Sequence, residues 1–305
     1  MSPAVELSVS TDALRVGELT DPVVVDPDPR LLEELLHSLV DVSPSTFDPG
    51  LDDLRSAVDA APNPWAGVDP QPTVAVLARR DALESVTGEF TAASRVDGLV
   101  ESGMLALSVL DASQPNVVVA GRNDGFVVVE TESGRYAVGS DRSLRRRYET
   151  TLEAADAFRP SAPNRHRLYR AFHDRCGRAV ADDVVRALDA PPDPRSDVVD
   201  ARTRAYFVGA RHERLDRAVR RSCEEAGLGS PSTFTAVKRR LVDAGVVTTE
   251  RVSQPVGRPR KRLLACEPYR ETPLSDAIAT TRDAVAATRD APGATESGGA
   301  TGSGG

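Results

Sequence analysis

Two stretches near the C-terminal end hold side chains whose types and spacing suit contact with a polyanion. In the first, Phe234, Val237, Leu241 and Ala244 recur at steps of three and four, the spacing of one apolar helical face. At about 100° per residue the opposite face holds Ser232, Thr235, Ala236 and Arg239, flanked by Lys238 and Arg240. Small polar groups permit close approach to a base edge, and Arg or Lys reaches guanine O6/N7 or a phosphate. In the second, Arg258, Arg260, Lys261 and Arg262 lie around the run Gly257-Arg258-Pro259. Arginines beside a glycine-proline turn suit phosphate or minor-groove contact.

Those groups need elements to hold them, and the flanking sequence supplies them. Ala201–Arg211 reads as a helix with Tyr206 and Phe207 inward. Leu215, Ala218, Val219 and Cys223 form the apolar face of a second, which stops at Gly227. Ser230 is a preferred N-cap and Pro231 suits the first helical position, so a third helix begins there and ends at Gly245. A β-rich run, Val246–Val252, and a returning strand, Arg260–Cys266, complete a basic-tipped hairpin. This order describes a winged helix-turn-helix.

Charge is divided along the chain in the same sense. The 305 residues carry a formal net charge of -8. Residues 1–134 hold 23 acids against 7 arginines, whereas residues 200–265 hold 15 basic against 7 acidic residues. A basic module within an acidic chain is the usual footprint of a nucleic-acid binder; a solvated basic face is the plainer explanation. Lys238 and Lys261 are the sole lysines, and Ile278 is the sole isoleucine. An acidic, lysine-poor, valine-rich chain predicts a halophile with a GC-rich genome, with a GC-rich non-halophile as the alternative.

Ahead of this module the pattern is mixed. After a polar lead-in of 20 residues, strands are predicted at Val23–Val25, Val74–Leu77 and Leu105–Leu110. Helices are predicted at Pro29–Val40 and from about Asp81 to Gly103 with a break near Gly88, and Pro-rich loops around Pro44–Pro49 and Pro62–Pro72. Three further strands follow, Asn116–Ala120, Gly125–Glu130 and Gly134–Gly139, with Asp124-Gly125 as a hairpin signal. Ser140–Phe158 reads as helix. Leu168, Phe172 and Cys176 share a helical face, and Val180–Leu188 continues as helix.

The predicted fold class is therefore α+β / α/β: an α/β sensor or dimerisation domain at 1–158, a helical connector at 159–199, and a winged helix-turn-helix at 200–266. A polar tail at 267–305 is expected to hold no core and to be largely disordered after about 290.

Other constellations are weaker. His166, His173 and Cys176 lie on one helical region with no fourth ligand nearby, so no metal is assigned. Gly121–Gly125 lacks the lysine of a phosphate loop and reads as a hairpin turn. Arg145–Arg147 reads as a solvated face, with an anionic effector pocket as the alternative. No nucleophile elbow or tuned carboxylate pair argues for catalysis, and no cofactor is called for. Three dispersed cysteines, no spanning segment and no signal-like N-terminus predict a cytoplasmic protein.

Three runs also resemble the haloarchaeal TbsP-type transcriptional regulators. They are Tyr206-Phe207-Val208-Gly209-Ala210-Arg211-His212-Glu213, Gly229-Ser230-Pro231-Ser232-Thr233-Phe234-Thr235, and Asp243–Val252 followed by Val256-Gly257-Arg258-Pro259-Arg260. The similarity extends weakly through the N-terminal part. Arg135–Asp141, leading into a helix ending near Phe158, is loosely similar to effector domains of archaeal winged-helix regulators. The resemblance implies a C-terminal winged helix beside an N-terminal domain of unsettled ligand.

Together these readings predict a DNA-binding transcription regulator, acting as a homodimer on promoter duplex and open to a small-molecule effector. Ser232, Thr235 and Arg239 are expected at base edges, and Lys238, Arg240, Arg258, Arg260 and Lys261 at phosphates. The alternative is an interaction or ligand-binding α/β protein whose winged helix binds protein rather than DNA.

Overall fold

The computed structural model describes residues 6–9, 12–60, 63–66, 73–190, 200–253 and 259–290. The lead-in holds a hairpin, β1 (Glu6–Val9) with β2 (Asp12–Arg15). Buried Leu7, Leu14, Val16 and Leu19 dock it on the domain, so this stretch belongs to the core rather than to a polar leader. One inward leucine per short strand is too little periodicity to read.

β3 (Val23–Val25) follows, then α1 (Pro29–Asp41), which Asp28 caps by accepting from the amides of Arg30 and Leu31 at 2.8 and 3.1 Å. The expected loop at Pro44–Pro49 contains the single turn α2 (Pro44–Phe47), and α3 (Leu51–Ala60) follows it. Next come β4 (Val74–Ala78), α4 (Arg80–Val86), α5 (Phe90–Glu101) and β5 (Leu105–Val109). The meander is β6 (Val117–Ala120), β7 (Gly125–Thr131) and β8 (Gly134–Val138).

These strands form one sheet of order β5-β4-β3-β6-β7-β8, with β3, β4 and β5 parallel and the rest antiparallel. Parallel strands covered on both faces are apolar throughout, and β3 is fully buried. Val24 enters the core beneath α1 and α5, while Val23 and Val25 face Leu144 on the other side. Leu144 belongs to α6 (Leu144–Arg147), which α7 (Glu149–Ala154) follows.

The single helix expected over Ser140–Phe158 is thus two short ones. The chain then runs extended along β5, with the Val109 amide donating to Asp156 and the Phe158 amide to Leu107. An edge strand presents unpaired backbone groups, and their capture outweighs continuing the helix.

The second half contains α8 (Arg165–Cys176), α9 (Arg178–Asp189), α10 (Ala201–Arg211), α11 (Asp216–Ala226), α12 (Pro231–Asp243), β9 (Val247–Val252), β10 (Arg260–Ala265) and α13 (Leu274–Asp290). One apolar core runs through them. It joins Tyr169 and Phe172 of α8, Val184 of α9, Tyr206 and Phe207 of α10, Val219 of α11, Phe234 of α12, and Ile278 and Val285 of α13. The helices read as a connector and the start of the tail pack as part of the winged-helix core. Ala277, Ile278, Thr281 and Val285 fall on one face of α13, so an Ala/Thr-rich composition still builds a packed helix. The expected disorder after 290 and the linker at 191–195 lie outside the described residues.

Ion pairs fasten the two halves. Arg55 of α3 meets Asp182 of α9 at 2.7 Å, and Tyr169 donates to the same carboxylate at 2.9 Å. Asp97 of α5 accepts from the amide and side chain of Asn164, which caps α8, and from Arg167 at 2.6 Å. Burial alone would raise the Asp182 carboxyl, but the hydrogen bonds from Arg55 and Tyr169 and the Arg55 charge hold it below its ordinary value. No described helix is long and apolar enough to cross a membrane.

Candidate nucleic-acid interface

The site is assembled from α11, α12 and the β9–β10 hairpin. α11 closes at Gly227, in the left-handed region at φ 85°, which a glycine adopts without strain. Ser230 then caps α12, its hydroxyl accepting from the Thr233 amide at 3.4 Å, with Pro231 at the first position. Inward, Phe234, Val237 and Leu241 are buried, and Phe234 stacks on Tyr206 at 6.2 Å. Gly245, at φ 68°, turns the chain into β9.

A third strand segment completes the wing sheet: Leu215 bridges Arg262, and the Leu263 amide donates to Arg214 at 2.9 Å. The turn between α10 and α11 is therefore tied to the hairpin. Gly209 is required there, because a Cβ would stand 2.5 Å from Val219 Cγ2.

Ser232, Thr235, Arg239 and Arg240 lie on the outward face of α12, all exposed. Arg239 forms no ion pair with any described residue. The Ser232 hydroxyl lies 2.8 Å from that of Ser230. Thr235 donates to the Pro231 carbonyl at 3.1 Å and accepts from Arg220 at 3.1 Å. Arg260 and Lys261 are exposed on β10, while Arg262 pairs with Glu250 at 3.6 Å. Arg258 and the wing tip lie outside the described residues.

Lys238 departs from its expected place. It is only 14% exposed and meets Asp216 at 2.9 Å. Asp216 also accepts from the Tyr206 hydroxyl and from Arg220 Nε at 3.1 Å. Burial alone would raise this carboxyl. Hydrogen bonds from Tyr206 and Lys238, with the Lys238 and Arg220 charges, hold it below its ordinary value instead. Burial first, and then Asp216, push the Tyr206 phenol upward. The cluster locks α12 to α10 and α11. Helical spacing placed Lys238 at the edge of the outward face but gave no sign of the carboxylate it meets, 22 positions earlier.

Sequence reasoning also passed over the outer side of α11. Arg217 and Arg221, at i and i+4 opposite the buried face of Val219 and Cys223, are exposed. They line two adjoining clefts. One, of about 340 Å³, is bounded by Arg175, Leu215, Arg217, Ala218, Arg221 and Arg260. The other, of about 410 Å³, is bounded by Arg217, Arg220, Arg221, Lys238 and Lys261 with Asp216 and Glu224. The i, i+4 spacing of the two arginines is the signal in the sequence that marks this face.

The weaker constellations find other partners. His166 Nε2 lies 3.0 Å from the Thr46 carbonyl and its ring meets Trp65 edge-on. His173 stacks on Tyr169 and Cys176 faces Ser222. Among the described residues no cluster of three or more His, Cys, Asp or Glu suits a metal ion. Gly121–Gly125 closes the β6–β7 hairpin, the Gly121 amide donating to Asp124 at 2.7 Å. Arg145 donates to the Asp21 carbonyl at 3.1 Å, and Arg147 pairs with Asp141.

Residues 45–163 match the family model described as transcriptional regulator TbsP-like, N-terminal, and residues 164–282 match that described as transcriptional regulator TbsP-like, C-terminal HTH domain. The boundary falls at Asn164, the cap of α8, so α8 and α9 and the first half of α13 lie in the same matched unit as the winged helix. No curated protein and no solved structure matches the chain.

Proposed function

The chain belongs to the TbsP-like family of transcriptional regulators, and from that membership we propose that it recognises promoter duplex DNA by sequence. α12 enters the major groove. Ser232, Thr235 and Arg239 read base edges, and Arg240, Arg258, Arg260 and Lys261 grip phosphates. Lys238 leaves the phosphate set because Asp216 already neutralises it. The observation that carries this reading is the outward face of α12, where small hydroxyl side chains and an arginine that pairs with no described acid stand exposed beside a cationic wing strand.

The α/β unit serves as the dimerisation or effector-sensing part. Two copies place their recognition helices about 34 Å apart on a symmetric site. The acidic, lysine-poor composition fits the salt-rich cytoplasm of a haloarchaeal cell. The activity is binding, with no catalytic step.

The test uses the full chain, because α8, α9 and α13 share the winged-helix core. Binding by fluorescence anisotropy is compared on a duplex selected from genomic DNA and on a shuffled duplex. Arg239→Ala is expected to weaken the selected duplex about 5- to 150-fold, the worth of one good base contact, and the shuffled one far less. Equal losses on both would remove Arg239 from base reading. A wild-type chain that binds neither duplex at low salt would overturn the function and favour a winged helix that binds protein.

A further inference from the structure

The clefts beside α11 are cationic beyond what folding needs. Arg217, Arg221, Arg260 and Lys261 are exposed and form no ion pair with any described residue. Arg217 and Arg221, one turn apart, repel each other. The first cleft has no acidic residue in its wall, only Arg175, Arg217, Arg221 and Arg260 with Leu215 and Ala218. Concentrating like charge in a concave wall focuses the field and favours an anion. The occupant is specified by what the walls lack. The first cleft offers no acceptor side chain and no ring to distinguish one small molecule from another. A phosphodiester backbone needs only charge.

The clefts are also continuous with the proposed reading head. Arg220 bonds Thr235 on α12, and Lys238 of α12 lines the second cleft along with Lys261 of the wing strand. Resting on the DNA-binding reading above, we infer that the groove between α11 and β10, extended by Arg175 at the end of α8, is a second track for the DNA backbone. It carries phosphates beyond the segment read by α12. Arg175 pairs with Glu225, while Arg221 acts on that carboxylate only through space, without pairing, so Arg217 and Arg221 carry most of the contact.

The inference is tested by salt titration of the full chain on the selected and shuffled duplexes, with Arg217→Gln/Arg221→Gln beside wild type. Both positions are exposed, and matching urea midpoints check that the variant is folded. Each phosphate contact contributes about 0.9 to the slope of log affinity against log salt. The double variant is expected to lower the slope by about 1.8 and to lose affinity equally on both duplexes. Arg221→Glu, which repels phosphate, should weaken binding further. Unchanged slope and affinity in a variant whose wild type binds DNA would overturn the groove alone and leave the base-reading proposal standing. Failure of wild type to bind any duplex would overturn both.

Discussion

Asp216 is the charged residue that ties the most partners together in the winged helix. Its carboxylate is the shared acceptor for a buried tyrosine hydroxyl, for Lys238 at 2.9 Å and for Arg220 Nε at 3.1 Å. Asp216→Ala leaves the Tyr206 O–H without its acceptor inside the core, with only the Arg220 guanidinium, itself a donor, beside it, at about 1–3 kcal/mol. It also leaves the Lys238 ammonium, 14% exposed, without its counter-charge. Breaking a fully buried pair costs about 3–5 kcal/mol, and partial water access here reduces that by at least half. The expected total is about 3 kcal/mol, or a fall in urea midpoint of about 1.5 M for a slope near 2 kcal/mol/M. Asp216→Asn keeps an acceptor for Tyr206 but not the charge, and should lose about half as much. Adding Lys238→Met to Asp216→Ala should recover about 1 kcal/mol, because the stranded cation is gone. Equilibrium unfolding in urea, followed by far-ultraviolet circular dichroism, measures all three. An Asp216→Ala chain within about 0.5 kcal/mol of wild type, or a double variant weaker than the single, would refute the account of the cluster as a lock on α12.

Gly209→Ala should destabilise by about 1–3 kcal/mol through overpacking, since its new methyl would meet both Val219 methyls within 2.8 Å; Gly209→Ala with Val219→Ala should recover part of the loss in the same unfolding assay. Ending the chain after Pro273 uncovers the partners of Ile278 and Val285 and should cost about 3–5 kcal/mol, read as a lower thermal midpoint; an unchanged midpoint would mean α13 adds nothing to the core. The His166 ring lies in the joint between α2, Trp65 and α8, where burial lowers its pKa from the ordinary 6.5. Its folded value lies below its unfolded one, so its stability is fully present above about pH 6.5 and lost as pH falls from there toward the folded value; His166→Gln should flatten that decline. Asp216, with its carboxyl depressed, acts in a lower window. Its contribution is present above the ordinary 3.8 and is lost as pH falls further through the folded value, so a chain already carrying Asp216→Asn should lose less stability below pH 4 than wild type.

Much of the fold was legible because it is written in local spacing. The leucines of α1, the cap at Ser230, the stops at Gly227 and Gly245 and the Asp124-Gly125 turn each announce an element from within a few residues. The β1–β2 hairpin and α13 were not legible, because their order comes from docking a few apolar side chains on cores built elsewhere. The division of Ser140–Phe158 into two helices and an extended segment was equally hidden. It answers the open edge of β5, a strand more than thirty residues away.

The outward face of α12 follows the same line. Periodicity alone fixes which residues point away from Phe234 and Leu241, so Ser232, Thr235 and Arg239 are placed by the sequence itself. The residues that the chain folds toward one another are another matter. The turning of Lys238 onto Asp216 and the meeting of Arg175, Arg217 and Arg260 around one cleft join three or more elements far apart in the chain. Charge is visible in a sequence, but whether a charge is neutralised depends on distance. For these residues only the packing of α8, α11, α12 and β10 decided it.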